Sequence, residues 1–140
     1  MNSEENKALV RQLVEEFDRN WGSVDFLDKW FTDDCKMHFN GSTMDLAAYK
    51  EILPPFHSAF TDVRHQIHFM LAEGDLVTDV ATIHMKHIGE WEGIAPTGRT
   101  LSIADIAVLR MRDGKVAEEW VVVDMAGLRQ QLEAPSQGSE

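Results

Sequence analysis

Residues Val116 to Val123 form a run of strand-forming side chains that stops at Asp124, four residues past Trp120. Alternate side chains of an extended strand share a face, so Val116, Glu118, Trp120, Val122 and Asp124 are expected on one side. A carboxyl in register with a Trp and two Val is carried beside apolar surroundings. Such surroundings favour the neutral acid and raise its pKa toward the range where one group can both take and give a proton. Asp124 is therefore the leading candidate for acid/base chemistry. The competing reading, left open by the strand alone, is a strand-end Asp that caps the segment Met125–Leu128.

Two further candidates come from the strands before it. Along Leu76–Ile88 the odd positions include Asp79, Ala81, Ile83, Met85 and His87. His87 thus sides with the apolar set and His84 with the polar one. Along Leu101–Arg112 Asp105 interrupts an apolar face of Leu101, Ile103, Ala107, Leu109 and Met111. An unpaired charge there is costly, so Asp105 is either paired, for instance with His87, or a second acid/base group. His38 either looks inward from a short strand or caps the Asn40-Gly41 turn. Trp120, Trp91, Met85, Phe17 and Trp30, together with His38, are the expected substrate contacts. His57, His65 and His68 suit the surface.

Other chemistries lack their motifs. The six His and single Cys show no metal-ligand spacing, and the one cysteine allows no internal disulfide. No Ser sits in a Gly-x-Ser-x-Gly elbow, and Gly89, Gly93 and Gly98 neither follow the dinucleotide-binding spacing nor open a helix.

The elements that must position these residues read clearly. Ser3 starts a helix carrying Leu9, Val10, Leu13, Val14, Phe17 and Trp21 at helical spacing, ended by Gly22. Ser23 caps a short second helix, and Cys35–Phe39 is a strand. Asp45 caps a third helix that Pro54-Pro55 interrupts. Strands follow over 64–73, with Ile67, Phe69 and Leu71 on one face, then 76–88, 101–112 and 115–124, joined by turns at Gly74-Asp75 and Asp113-Gly114. Helices first and hairpin-linked strands after give an α+β fold with a mainly antiparallel sheet. A sheet of about four strands that curls under three helices leaves a cone lined by alternate strand residues, the kind of place where small ligands bind. One domain over residues 1–132 and a flexible tail over 133–140 are expected.

A net charge of −11 opposes nucleic acid or an anionic membrane surface as partner and opposes steering of an anionic substrate. A small hydrophobic molecule fits better. The start of the chain lacks the pattern of a signal peptide and no apolar run reaches membrane-spanning length, so a cytoplasmic protein is expected.

The stretch His87-Ile88-Gly89-Glu90-Trp91-Glu92-Gly93-Ile94-Ala95-Pro96-Thr97-Gly98-Arg99 resembles the His-x-Gly-x-(aromatic)-x-Gly-(Ile)-x-Pro-Thr-Gly-(Arg) stretch of the SnoaL-like polyketide cyclases, also called ester cyclases, in the nuclear transport factor 2-like superfamily. So do Asp113-Gly114-Lys115-Val116-x-Glu118-x-Trp120 with Asp124, Glu73-Gly74-Asp75, and Leu128-x-Gln130-Gln131-Leu132. The resemblance covers nearly the whole chain. It implies a cone-shaped fold, a homodimer through the outer sheet face near Ile106 and Val108, and no metal or cofactor. It further implies an intramolecular aldol condensation closing a ring of a polyketide ester. In this reading Asp124 is the acid/base, and His87 and Asp105 compete as its partner. Isomerase, dehydratase or epoxide hydrolase chemistry, and a non-catalytic binding or dimerising scaffold, are the alternatives.

Overall fold

The computed structural model describes residues 1–135; the expected tail falls partly on residues 136–140, outside the described residues. The order is α1 (Ser3–Arg19), α2 (Leu27–Trp30), β1 (Phe31–Phe39), β2 (Ser42–Met44), α3 (Leu46–Ala59), β3 (Phe60–Glu73), β4 (Leu76–His87), β5 (Thr100–Arg112), β6 (Lys115–Val123) and α4 (Met125–Glu133). The six strands form one curved, open sheet in the order β2-β1-β6-β5-β4-β3. All pairings are antiparallel except β1 with β6. No helix among the described residues is long and apolar enough to cross a membrane.

Local chemistry explains most boundaries. Asn2, rather than Ser3, caps α1: its side chain accepts from the Glu5 amide while Glu5 returns the bond to the Asn2 amide. The helix then turns Leu13, Val14 and Phe17 toward the sheet, and just past its end the Trp21 indole donates to the Phe60 carbonyl at 2.9 Å. Asp45 caps α3 as expected. Pro54 and Pro55 do not interrupt that helix, which runs on to Ala59. Both prolines are exposed, so water can serve the carbonyls that lose their amide partners, while Leu53 and Phe56 keep facing inward.

The sheet curls because its strands carry bulges, and each bulge also exchanges the faces beyond it. In β3 the pairing slips between Ile67 and Phe69, leaving His68 unmatched. Ile67 stays inside with Met70, whereas Phe69 and Leu71 are 51% and 62% exposed, contrary to the expected shared face. In β6 the slip between Arg110 and Met111 leaves Ala117 unmatched. Val116 is buried beside Met111, but after Ala117 the inward set is Glu119, Val121 and Val123. Glu118, Trp120 and Val122 consequently face out, with Val122 63% exposed. The face first assigned to the interior is the outer one.

Aromatic and aliphatic side chains fill both ends of the half-cone. One cluster joins Leu27, Trp30, Phe31, Met37 and Val116; the other joins Phe60, Trp91, Leu101, Leu128 and Leu132. Burial of each large side chain contributes about 1.5–3 kcal/mol. Gly89 brings the two layers close: a Cβ there would stand 2.4 Å from the Ser58 carbonyl oxygen.

Candidate active site

Between the clusters the cone stays hollow, enclosing a cavity of about 130 Å³. Its walls are apolar. Leu13, Val14 and Phe17 come from α1, Trp21 from the turn after it, and Tyr49, Leu53 and Phe56 from α3. Its floor is the inner face of β3–β6, where four ionisable side chains appear: His65, Asp79, Asp105 and Glu119.

Register explains why they meet. One inward row runs Ala72–Val77–Leu109–Glu119, the next Met70–Asp79–Ala107–Val121, the next Ile67–Ala81–Asp105–Val123, and the last includes His65–Ile83–Ile103. The four groups therefore fall one per row, Glu119 on β6, Asp79 on β4, Asp105 on β5 and His65 on β3. Ala107 and Ala81 lie among them, and their small side chains leave the space above open. Ala81 also separates His65 from Asp105, and its methyl lets the imidazole reach across: His65 Nε2 is 3.2 Å from Asp105 Oδ2. On the other side His65 Nδ1 lies 2.6 Å from Asp18 Oδ1 of α1, and the His65 backbone N–H donates to Asp18 Oδ2 at 2.7 Å. The edge of the Phe17 ring packs on the imidazole, with centroids 5.7 Å apart.

The floor holds more acid than base, and burial makes that matter. Burial opposes charge on His65, yet hydrogen bonds to Asp105 and Asp18 and their negative charges outweigh it and push the ring up to about 9. Burial, then the charge of Asp105, raises Asp79 to about 6, against the positive influence of His65 and Arg11. Asp79 is only 6% exposed and its Oδ1 has no hydrogen-bond partner. Glu119 is pushed furthest, to about 8, by burial and by the charges of Asp105 and Asp79, with His65 opposing. The floor thus favours the protonated imidazole at His65, beside Asp105, and the neutral acid at Glu119.

Three of the nine residues nominated from sequence line this cavity: Asp105, Met85 and Phe17. Asp105 does interrupt an apolar face, but its partner is His65, not His87. His87 is fully buried behind the cavity, its Nδ1 accepting from the Thr97 amide at 3.1 Å, beside Phe60. Trp91 packs on Phe56 and Phe60 in the same outer layer, and Trp30 sits in the core under α2. His38 and Trp120 stack on the outer sheet face, 5.3 Å between centroids, because Met37 and Phe39 take the inward positions of β1. His38 Nε2 meets Glu118 Oε2 at 2.7 Å there.

Asp124 is corrected most. It is exposed, and its Oδ1 accepts from the Gly127 amide at 2.8 Å as the N-cap of α4. A Cβ on Gly127 would fall 2.2 Å from Asp124 Oδ2, so the carboxylate is seated on the helix end. The capping alternative describes its geometry. Asp124→Ala is therefore expected to cost about 1 kcal/mol in a denaturant titration while leaving turnover within twofold of the parent; loss of turnover without loss of stability would return Asp124 to the chemistry.

Residues 8–132 match the family model for SnoaL-like polyketide cyclases. The chain belongs to that family. Among solved structures that resemble it is AclR from Streptomyces galilaeus, a proposed hydroxylase. It is 27% identical, with a TM-score of 0.86 over 99% of this chain and 87% of that one. IdmH from Streptomyces antibioticus, a proposed polyketide cyclase, is 23% identical with a TM-score of 0.81, over 91% and 97%. A proposed SnoaL-like polyketide cyclase from Jannaschia sp. CCS1 is 19% identical with a TM-score of 0.83, over 96% and 95%. No curated protein matches the sequence. The curved open sheet and N-terminal helices are those of this family, as the sequence resemblance implied.

Proposed function

We propose that this family member is an acid/base enzyme acting on a hydrophobic carbonyl compound without a cofactor, and that its reaction is an aldol-type ring closure. The reading is carried by Glu119 and Asp105 lining one largely apolar cavity on either side of Ala107, where burial and the charges of Asp105 and Asp79 raise Glu119 to about 8. Two carboxyls in unlike surroundings, one paired with His65 and the other favoured as the neutral acid, divide the labour: one accepts a proton while the other donates. Asp105 takes a proton from the carbon next to a carbonyl, and Glu119 hydrogen-bonds the oxygen on which negative charge develops. The enolate carbon then attacks a second carbonyl of the same molecule. One carbon–carbon bond forms, the new alkoxide recovers the proton from Asp105, and no atom is lost. His65 holds Asp105 in place and balances its charge. Asp79 adds the negative field that helps keep Glu119 protonated.

A carboxylate is a weak base, so the acidified carbon of a polycarbonyl chain or aryl ketone suits it. The cavity compares with a cavity of about 150 Å³ that admits benzene. One ring of substrate therefore sits on the floor, the remainder extending toward the mouth. Phenylacetone in deuterium oxide tests the first half-reaction: the protein should speed exchange of its benzylic protons, read by NMR. Exchange at the buffer rate would remove the proposal.

A homodimer belongs to the same reading. On the outer face Phe69, Val80, Ile106 and Val122 form one continuous row, and Leu71, Thr78, Val108 and Trp120 the next. Ile106 is 47% exposed, so the two rows leave an apolar surface open to a second copy. Sedimentation equilibrium should return twice the monomer mass, and a monomer at all concentrations would contradict it.

A further inference from the structure

We infer that Asp18, a helix carboxylate outside the cavity, is the positioning residue that sets the orientation and charge of His65 and, through it, the pH range in which the cavity works. This rests on the catalytic reading of Asp105 and Glu119 above. Asp18 grips one residue at two points, taking the His65 backbone N–H on Oδ2 and the ring on Oδ1. With the backbone and Nδ1 both held, the imidazole has a single orientation, and it is the one that aims Nε2 at Asp105 Oδ2. The Phe17 edge closes the ring's open side. Asp18 reaches this position because it follows Phe17 on α1: one side chain turns to the cavity, the next to β3.

A clamp holding α1 against β3 would need only the backbone bond. The ring bond is the extra feature, and its charge has a consequence. The groups acting on His65 or acted on by it are Asp18 from α1, Asp79 from β4, Asp105 from β5 and Glu119 from β6, with Arg11 of α1 acting on Asp79. His65 is the one group of this set whose charge lowers both Asp79 and Glu119 from inside the floor. If His65 lost its proton, both carboxyls would hold theirs to higher pH. Asp18 thus acts on the reaction at second hand, by keeping the imidazole charged.

The test is Asp18→Asn, which keeps the shape and one acceptor oxygen for the His65 backbone N–H but removes the charge and the acceptor facing the ring. Ring ¹⁵N spectra of His65 should show its titration midpoint falling from about 9 toward 6.5. Exchange of phenylacetone should slow about tenfold, a fraction of the 10²–10⁴ ascribed to direct acid/base groups, with KM within twofold. The alkaline limb of the rate profile should move upward, and Asp18→Glu should restore part of both effects. A purely structural Asp18 would lower stability yet leave the His65 midpoint and the limb where they were, and that result overturns the inference. Should the Asn variant not fold, the parent decides: His65 must be doubly protonated at pH 7.5, and a neutral ring there overturns the inference equally. The ring titration needs no turnover, so it separates failure of this inference from failure of the proposed reaction.

Discussion

Asp105→Asn lowers the exchange of phenylacetone protons roughly 10²–10⁴-fold, the span ascribed to a positioned acid/base group. The amide keeps the shape of the side chain and can still accept a hydrogen bond from His65 Nε2, which remains charged through Asp18. The fold and the cavity therefore survive, and the loss falls on the rate of proton removal rather than on binding. A second effect accompanies it. Because the Asp105 charge helps hold the proton on Glu119, its removal moves the Glu119 titration to lower pH. A rate loss without that shift would mean the two carboxyls do not sense each other. Normal exchange in the Asn variant would end the role assigned to Asp105.

The second large effect is a loss of activity and stability as pH rises. Glu119 must keep its proton to donate, so the rate should fall on the alkaline side around pH 8. Glu119→Gln, which can donate from its amide but cannot titrate, should remove that limb and leave a reduced, flat rate. Stability follows by linkage. Glu119 and Asp79 have folded values near 8 and 6 against ordinary values of 4.5 and 3.8. Folding therefore binds protons in those windows, and each group destabilises the fold progressively as pH passes through them. For His65 the folded value near 9 lies above the ordinary 6.5, so its contribution is complete below about 6.5 and is lost as pH rises through 9. All three act in one direction. Unfolding free energy should fall from about pH 5 to pH 9 by on the order of a few kcal/mol. Glu119→Gln should flatten the portion below pH 8. Stability rising across that range in thermal melts would contradict the electrostatics of the floor.

How far the sequence could be read turned on single residues. The first three helices, the hairpin turns and the four long strands were legible because each carries its own period and punctuation, whereas β2 and α4 were not read as elements. Asp105 was legible as well: β5 has no slip before Arg110, so its odd positions stay on one face. Beyond each bulge the parity argument inverted. One unmatched residue at Ala117 carried Glu119 inside and Trp120 outside, and one at His68 did the same to Phe69 and Leu71. A bulge leaves no mark in the alternation until both strands are seen, so Glu119 could not be found that way. Asp79 and His65 were within reach. Asp79 shares the inward parity of Ala81 and Ile83, and His65 that of Ile67, without a bulge between. Asp18 carries no signal at all, since its partner lies 47 residues away on another element. Asp124 misled because a strand-end carboxylate that caps a helix and one that enters a cavity present the same local sequence.

The account depends on a carboxylic acid that stays protonated in the hollow of the cone. Its most direct test is the side-chain carboxyl ¹³C resonance of Glu119 followed from pH 4 to pH 10, assigned by its loss in Glu119→Gln. A midpoint near 8 is the predicted result. A midpoint near 4.5, the value of an ordinary glutamate, would mean the floor holds no acid to give and would contradict the proposed chemistry.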